Sequence, residues 1–166
     1  MPFQMFVPTK ALFGQGQLNN LHAQELPGKK ALIIVSNGKS VKVNGYLART
    51  EKELHLAGVE TALFDEVEAN PLKTTVMRGG QAAREKACDF LVALGGGSCM
   101  DAAKAIAVVA TNDGDLWDYI SQGTGRETPL PTSPCRSLPS QRLPGRVRKR
   151  IWAVSLPMKK RMKRHP

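Results

Sequence analysis

The chain has 166 residues, enough for one domain or for a domain with a tail, and an apolar fraction ordinary for a globular protein. Its net charge of +10 is unevenly spread: residues 1–128 hold 13 basic and all 14 acidic side chains, while residues 129–166 hold the other 11 basic ones, seven of the 11 prolines and no acid. No apolar run is long enough for a membrane span, the N-terminus lacks the build of a signal peptide, and Cys88, Cys99 and Cys135 show no metal-site spacing, so a reduced cytoplasmic protein without a membrane partner is expected, with a near-neutral domain over 1–128 and a foreign basic tail over 129–166.

Residues 3–13 alternate loosely and read as a strand or hairpin, with Pro8 favouring an edge. Gly14-Gln-Gly16 is a turn, residues 17–24 a short helix, and Pro27-Gly28 a break. Ala31-Leu-Ile-Ile-Val-Ser36 is apolar and β-branched without alternation, as a strand buried on both faces must be. After the Asn37-Gly38 turn, residues 41–56 read as one helix with Tyr46, Leu47, Leu54 and His55 near its buried face, ended by Gly58. Residues 59–64 form a second strand, 65–71 a loop, and 73–88 a second long helix. That helix carries Gly79-Gly80 in its interior, at a cost of about 1 kcal/mol per glycine relative to alanine. Residues 89–94 are a third strand and 98–111 a third long helix, ended at Asn112-Asp-Gly114; Asp115 to Ile120 form one more turn. Strands alternating with helices predict a doubly wound, Rossmann-like α/β fold with a parallel sheet.

The stretch from Leu91 to Lys104 organises the rest. An apolar strand stops at Gly95-Gly-Gly-Ser98, and a helical period begins with Met100, Ala103, Ile106, Ala107 and Ala110. The first N–H groups of a helix have no intrahelical acceptor and carry partial positive charge, and glycines let a phosphate approach them closely. Ser98 can cap the helix or give its hydroxyl to a phosphate oxygen. A glycine triplet alone also fits a tight turn without a ligand. Three loops, at Asn37-Gly38, Asn70-Pro71 and Gly95 to Ser98, are all expected at the carboxyl edge of the sheet, where ligands of such folds gather.

These residues resemble the iron-containing alcohol dehydrogenases. The resemblance rests on Phe13-Gly-Gln-Gly16, Lys30-Ala-Leu-Ile-Ile-Val35, Asn70-Pro71, Asn112-Asp-Gly-Asp115 with Trp117-Asp-Tyr119, and above all on Asp89 to Ala107, and it covers residues 3–126. It implies the N-terminal cofactor half of a dehydroquinate synthase-like fold, whose helical second half holds Fe²⁺, sometimes Zn²⁺, through one Asp and three His. It further implies interconversion of alcohols and aldehydes by metal-assisted hydride transfer with NAD or NADP. Carried over, Gly95, Gly96, Gly97 and Ser98 would cradle the pyrophosphate, with Asp101 in the same motif, and Asn70 would border the nucleotide. Asn37 stands where NAD-preferring members often have Asp; without that carboxylate a 2′-phosphate is not repelled, so NADP is admissible. For Asp101 and Asn70 the plain alternatives are a helix-N-terminal acid and a turn residue.

Past Arg126 the resemblance stops, and the helical metal domain is expected to be absent. We read a shift of reading frame between Glu127 and Thr132: joining the third base of each codon to the first two of the next permits KPLPIVAITTTAGTGSEAD, followed by LGGVIANEETNEK, which the family carries at that point. On this reading the tail has no reason to fold and disorder is expected. His22, His55 and His165 show no ligand spacing, so neither catalytic nor metal-binding residues are assigned. The expected chain keeps part of the nucleotide site, turns over no alcohol even with added Fe²⁺, and exposes an open sheet edge. Homo-oligomers occur in the family. The alternative is a basic-tailed nucleotide- or nucleic-acid-binding module, although Trp152 is the only tail aromatic, and non-specific nucleic-acid binding is expected of any such tail.

Overall fold

The structure, a computed structural model, describes residues 12–121, 125, 126, 128 and 129, and the backbone of a strand at 150–155. Most of the expected N-terminal hairpin, Cys135 and the rest of the tail lie outside the described residues. The strands are β1 (Lys30–Ser36), β2 (Glu60–Val67), β3 (Phe90–Gly95) and β4 (Arg150–Ser155), and the helices α1 (Ser40–Val43), α2 (Tyr46–Leu56), α3 (Lys73–Glu85) and α4 (Gly97–Thr111). Short 3₁₀ helices occupy Gln17–Ala23, where a short helix is expected, and Leu116–Tyr119. The sheet order is β2-β1-β3-β4 and every pairing is parallel, as the unbroken apolar strands predict.

Two apolar layers sandwich the sheet. Leu32, Ile34, Leu91 and Ala93 pack with residues of α3 and α4, whereas Ala31, Ile33, Val35, Phe90, Val92 and Leu94 pack with α1, α2 and Leu21. The alternation along each strand sends neighbouring side chains to opposite layers. The first connection leaves β1 towards β2 on one face; the next crosses back to β3 on the other. The strand order therefore reverses between β1 and β3, and their carboxyl ends flank a crevice.

Several boundaries differ from the sequence reading. The single helix expected over 41–56 is two, broken at Asn44-Gly45, where Gly45 takes a left-handed φ of 71° that interrupts the α ladder. His55 is exposed and meets the Thr61 hydroxyl at 3.2 Å; it does not face the core. β2 runs on to Val67 through half of the expected loop, because β1 continues to pair with it past an irregularity at Ile34/Ser36. Arg150–Ser155, in the tail expected to lack structure, pairs with all of β3. Its Ile-Trp-Ala-Val core is a β-prone segment, and the β3 edge offers it a full set of backbone partners.

Gly79-Gly80 gains a reason. A Cβ on Gly79 would run into Ile106 and one on Gly80 into Val109, so the pair is where α3 and α4 pack closest. The nearby Arg84 guanidinium donates to the Val109 carbonyl.

Glu53 of α2 is buried, and its carboxylate receives the ring Nδ1 of His22 at 2.5 Å, tying the first 3₁₀ helix to α2. The hydrogen bond from His22 holds the Glu53 carboxyl below its ordinary value, against the opposing effect of burial. A depressed carboxyl contributes stability above its unfolded value, and the contribution disappears as pH falls through the folded one. His22→Ala is expected to cost about 1–2 kcal/mol at neutral pH, from a lost charge-assisted bond. In urea unfolding its deficit should shrink as the solution is acidified; a deficit independent of pH would assign the loss to packing instead.

Candidate functional site at the carboxyl edge of the sheet

All four strands end on the same edge, which brings three loops together as expected. Asn37-Gly38 follows β1, Asn70-Pro71 follows β2, and Gly96 to Ser98 follows β3. The first two are linked directly, since the Asn37 N–H donates to the Val67 carbonyl at 2.9 Å. Lys42 of α1 reaches Asp65 of β2 at 2.5 Å and holds that carboxyl below its usual range, chiefly by their hydrogen bond.

The third loop is the most constrained. Gly95 ends β3 with φ 157°, and a Cβ there would lie 2.7 Å from Cys99 Sγ, so the position rejects a side chain on both counts. Cys99 is buried beneath the turn; burial pushes its thiol up, opposed by hydrogen bonding from the Ser36 backbone. The sulfur thus lies close to the end of β1 as well as beneath the start of α4. Its position was not legible as a site feature, because the sequence shows only a small apolar residue four places after Gly95.

Gly96 is the N-cap of α4, extended at φ −90°, ψ −165°, with no side-chain cap. The N–H groups of Cys99 and Met100 turn back to its carbonyl at 3.1 and 3.2 Å. Those of Gly97 and Ser98 precede them in the first turn, where the helix offers no acceptor. Gly97 is exposed, and a Cβ on it would meet nothing within 4 Å. The result is an open cradle with two donors that have no acceptor among the described residues, at the positive end of a helix of 15 residues, suited to a phosphate group.

The other expected site residues sit less tightly. Asn37 and Asn70 are both exposed, and Asn70 has a left-handed φ of 56°, which a short polar side chain tolerates in a turn. Glu68, just before it, accepts from the Leu72 N–H at 2.8 Å and the Thr75 hydroxyl at 3.0 Å, steadying the start of α3. Asp101 lies one residue beyond the first turn of α4, exposed, with its carboxylate 3.4 Å from the Lys104 ammonium. The structure thus brings Asn37 and Gly95 to Ser98 to the crevice between β1 and β3 and leaves Asn70 on the next loop out.

Among the described residues no group of three or more His, Cys, Asp or Glu is placed to hold a metal ion. Cys88 and Cys99 are both buried and not joined in a disulfide, and no helix among the described residues is long and apolar enough to cross a membrane.

A family model for iron-containing alcohol dehydrogenases matches residues 8–140. The chain belongs to the iron-containing alcohol dehydrogenase family. It is 39% identical over 139 residues to the 1,3-propanediol dehydrogenase of Klebsiella pneumoniae, covering 79% of this chain and 35% of that protein. It is 36% identical over 129 residues to a probable NADH-dependent butanol dehydrogenase of Bacillus subtilis, covering 78% of this chain and 33% of that one. The crystal structure of an archaeal halo-thermophilic alcohol dehydrogenase from a Red Sea brine pool, bound to NZQ, superposes with a TM-score of 0.71 at 37% identity over 78% of this chain and 34% of its own. The chain therefore spans about a third of the length of these family members, and the shared fold is the Rossmann-like α/β part.

Proposed function

We propose that this chain binds the dinucleotide of an alcohol dehydrogenase that interconverts alcohols and aldehydes. The open cradle at Gly97, whose Cβ position is empty while that of Gly95 is filled, is the observation that carries the reading. Gly96, Gly97 and Ser98 would receive the pyrophosphate through backbone N–H groups and the Ser98 hydroxyl. Gly95 holds the turn, Asn37 borders the adenine ribose, and Asn70 closes the far side. The bound nicotinamide supplies or accepts the hydride. The described residues do not fit an Fe²⁺ or Zn²⁺ site, so no step is assigned to a metal here, and the chain by itself is proposed to bind cofactor without turnover.

Both NAD and NADP suit the site. Asn37 presents no carboxylate to repel a 2′-phosphate, and Lys39, exposed two residues later, adds a cation beside it. Titrating the purified chain with NADH and NADPH, by nicotinamide fluorescence, tests this directly. Binding of both is expected, and Asn37→Asp should weaken NADPH relative to NADH by roughly tenfold, the cost of one like-charge contact at a solvated site. Failure of either dinucleotide to bind at millimolar concentration would refute the reading.

We further propose that the basic tail arises from a frame shift between Glu127 and Thr132, and that its contacts with nucleic acid are non-specific. The gene sequence around those codons decides the first point. A salt titration of DNA binding, comparing residues 1–128 with the whole chain, decides the second.

A further inference from the structure

Asn37 has a second chemical property, independent of any bound cofactor. It is followed by Gly38, the pairing most prone to intramolecular attack on an asparagine side chain, because no Cβ shields the glycine nitrogen. The chain holds a second such pair, Asn44-Gly45, also exposed at its asparagine, and the fold treats the two differently. At the second pair, Asn44 closes α1 with its N–H on the Ser40 carbonyl at 3.0 Å, and the Gly45 N–H is held on the Lys42 carbonyl at 3.0 Å. At the first pair the Asn37 N–H is anchored on Val67, but the Gly38 N–H and the Asn37 carboxamide have no hydrogen-bond partner among the described residues. Asn70 is followed by proline, which has no N–H, and Asn112 is buried with its amide on Val108 and Thr111.

We infer that Asn37 is a site of spontaneous deamidation, selected over Asn44 by the free amide nitrogen of Gly38. The deprotonated Gly38 nitrogen attacks Asn37 Cγ, the Cγ–Nδ2 bond breaks and ammonia leaves, closing a five-membered succinimide. Water then opens the ring at one carbonyl or the other, giving aspartate, or isoaspartate with the chain rerouted through Cγ. Water is the only co-reactant, and the neutral amide becomes a carboxylate. The modification stands whether or not a cofactor binds. If Asn37 borders the ribose, as proposed above, the new charge lies where it would repel a 2′-phosphate and favour NAD, so ageing of the protein alters its cofactor preference.

Trypsin separates the two pairs, placing Asn37 in the peptide 31–39 and Asn44 in 43–49. Incubation of the full chain at mildly alkaline pH, followed by mass spectrometry of these peptides, should show conversion at Asn37 about fivefold or more faster than at Asn44, the ratio implied by freeing one backbone hydrogen bond. In denaturing urea the two rates should converge, since both asparagines precede glycine. Gly38→Ala should slow conversion at position 37 sharply, and the fold accommodates it, because the added Cβ meets only Ser36 Oγ at 3.5 Å. Equal rates in native buffer, or a Gly38→Ala chain that converts as fast as the parent, would overturn the proposal. A converted chain that binds 2′,5′-ADP as tightly as fresh protein would leave the modification standing and remove Asn37 from the ribose.

Discussion

Gly97→Ala is expected to weaken NADH and NADPH binding by about tenfold to a hundredfold while leaving the unfolding midpoint unchanged or slightly higher. The two effects separate because of where the new methyl goes. Within the protein it meets nothing within 4 Å, and alanine suits a helical position better than glycine does. The space it fills is the one a phosphate must enter to reach the N–H groups of Gly97 and Ser98 at hydrogen-bond distance. Gly95→Ala should do the reverse, because φ 157° and the Cys99 sulfur 2.7 Å from the added Cβ strain the fold itself. Fluorescence titration and thermal melting on the two variants distinguish a ligand cradle from a mere tight turn. A Gly97→Ala chain that binds both dinucleotides as the parent does would show that their phosphates bind elsewhere.

Gly80→Val is expected to destabilise the domain by about 3 kcal/mol or more, a large share of the 5–15 kcal/mol that holds a typical domain together. Helix propensity alone predicts a small effect for replacing an interior glycine. Packing decides otherwise. A Cβ at position 80 would lie 2.4 Å from Val109 Cγ2 and already touch the Val109 carbonyl carbon at 3.4 Å, so the two further methyl groups of valine have no room against either and α3 must move off α4. That movement would uncover Ala83, Ala102, Ala103 and Ile106 in the layer beneath. Combining the change with Val109→Ala should restore part of the loss, whereas distant truncations should simply add. Urea unfolding of the single and double variants measures it, and a Gly80→Val chain as stable as its parent would contradict this crossing of the helices.

The sequence led to the expectation of an open sheet edge, yet Arg150–Ser155 lies along β3 in full register, with Ser155 opposite Gly95. An edge strand accepts any extended segment that can match its backbone donors and acceptors, so the identity of the occupant matters less than its β-propensity.

What the sequence determined on its own was whatever depends on local pattern. The buried strands of the sheet show as apolar runs, 31–36 and 89–94, that no solvent-facing element could carry, and the glycine turn shows as an abrupt stop before a helical period. The motif from Asp89 to Ala107 led to the family for the same reason: phosphate-binding turns require particular residue types at fixed spacing. The tertiary structure decided what depends on neighbours distant in the chain. Gly79-Gly80 looked like a flaw in a helix until α4 was laid across it, Cys99 looked like a bland thiol until Ser36 came up beside it, and nothing in the sequence pairs Glu53 with His22, 31 residues away. Two Asn-Gly pairs that are equivalent as letters became unequal once one glycine N–H was tied to Lys42 and the other left without a partner among the described residues. Spacing along the chain records local geometry, whereas close approach between elements and the fate of each backbone donor are settled only when the layers pack.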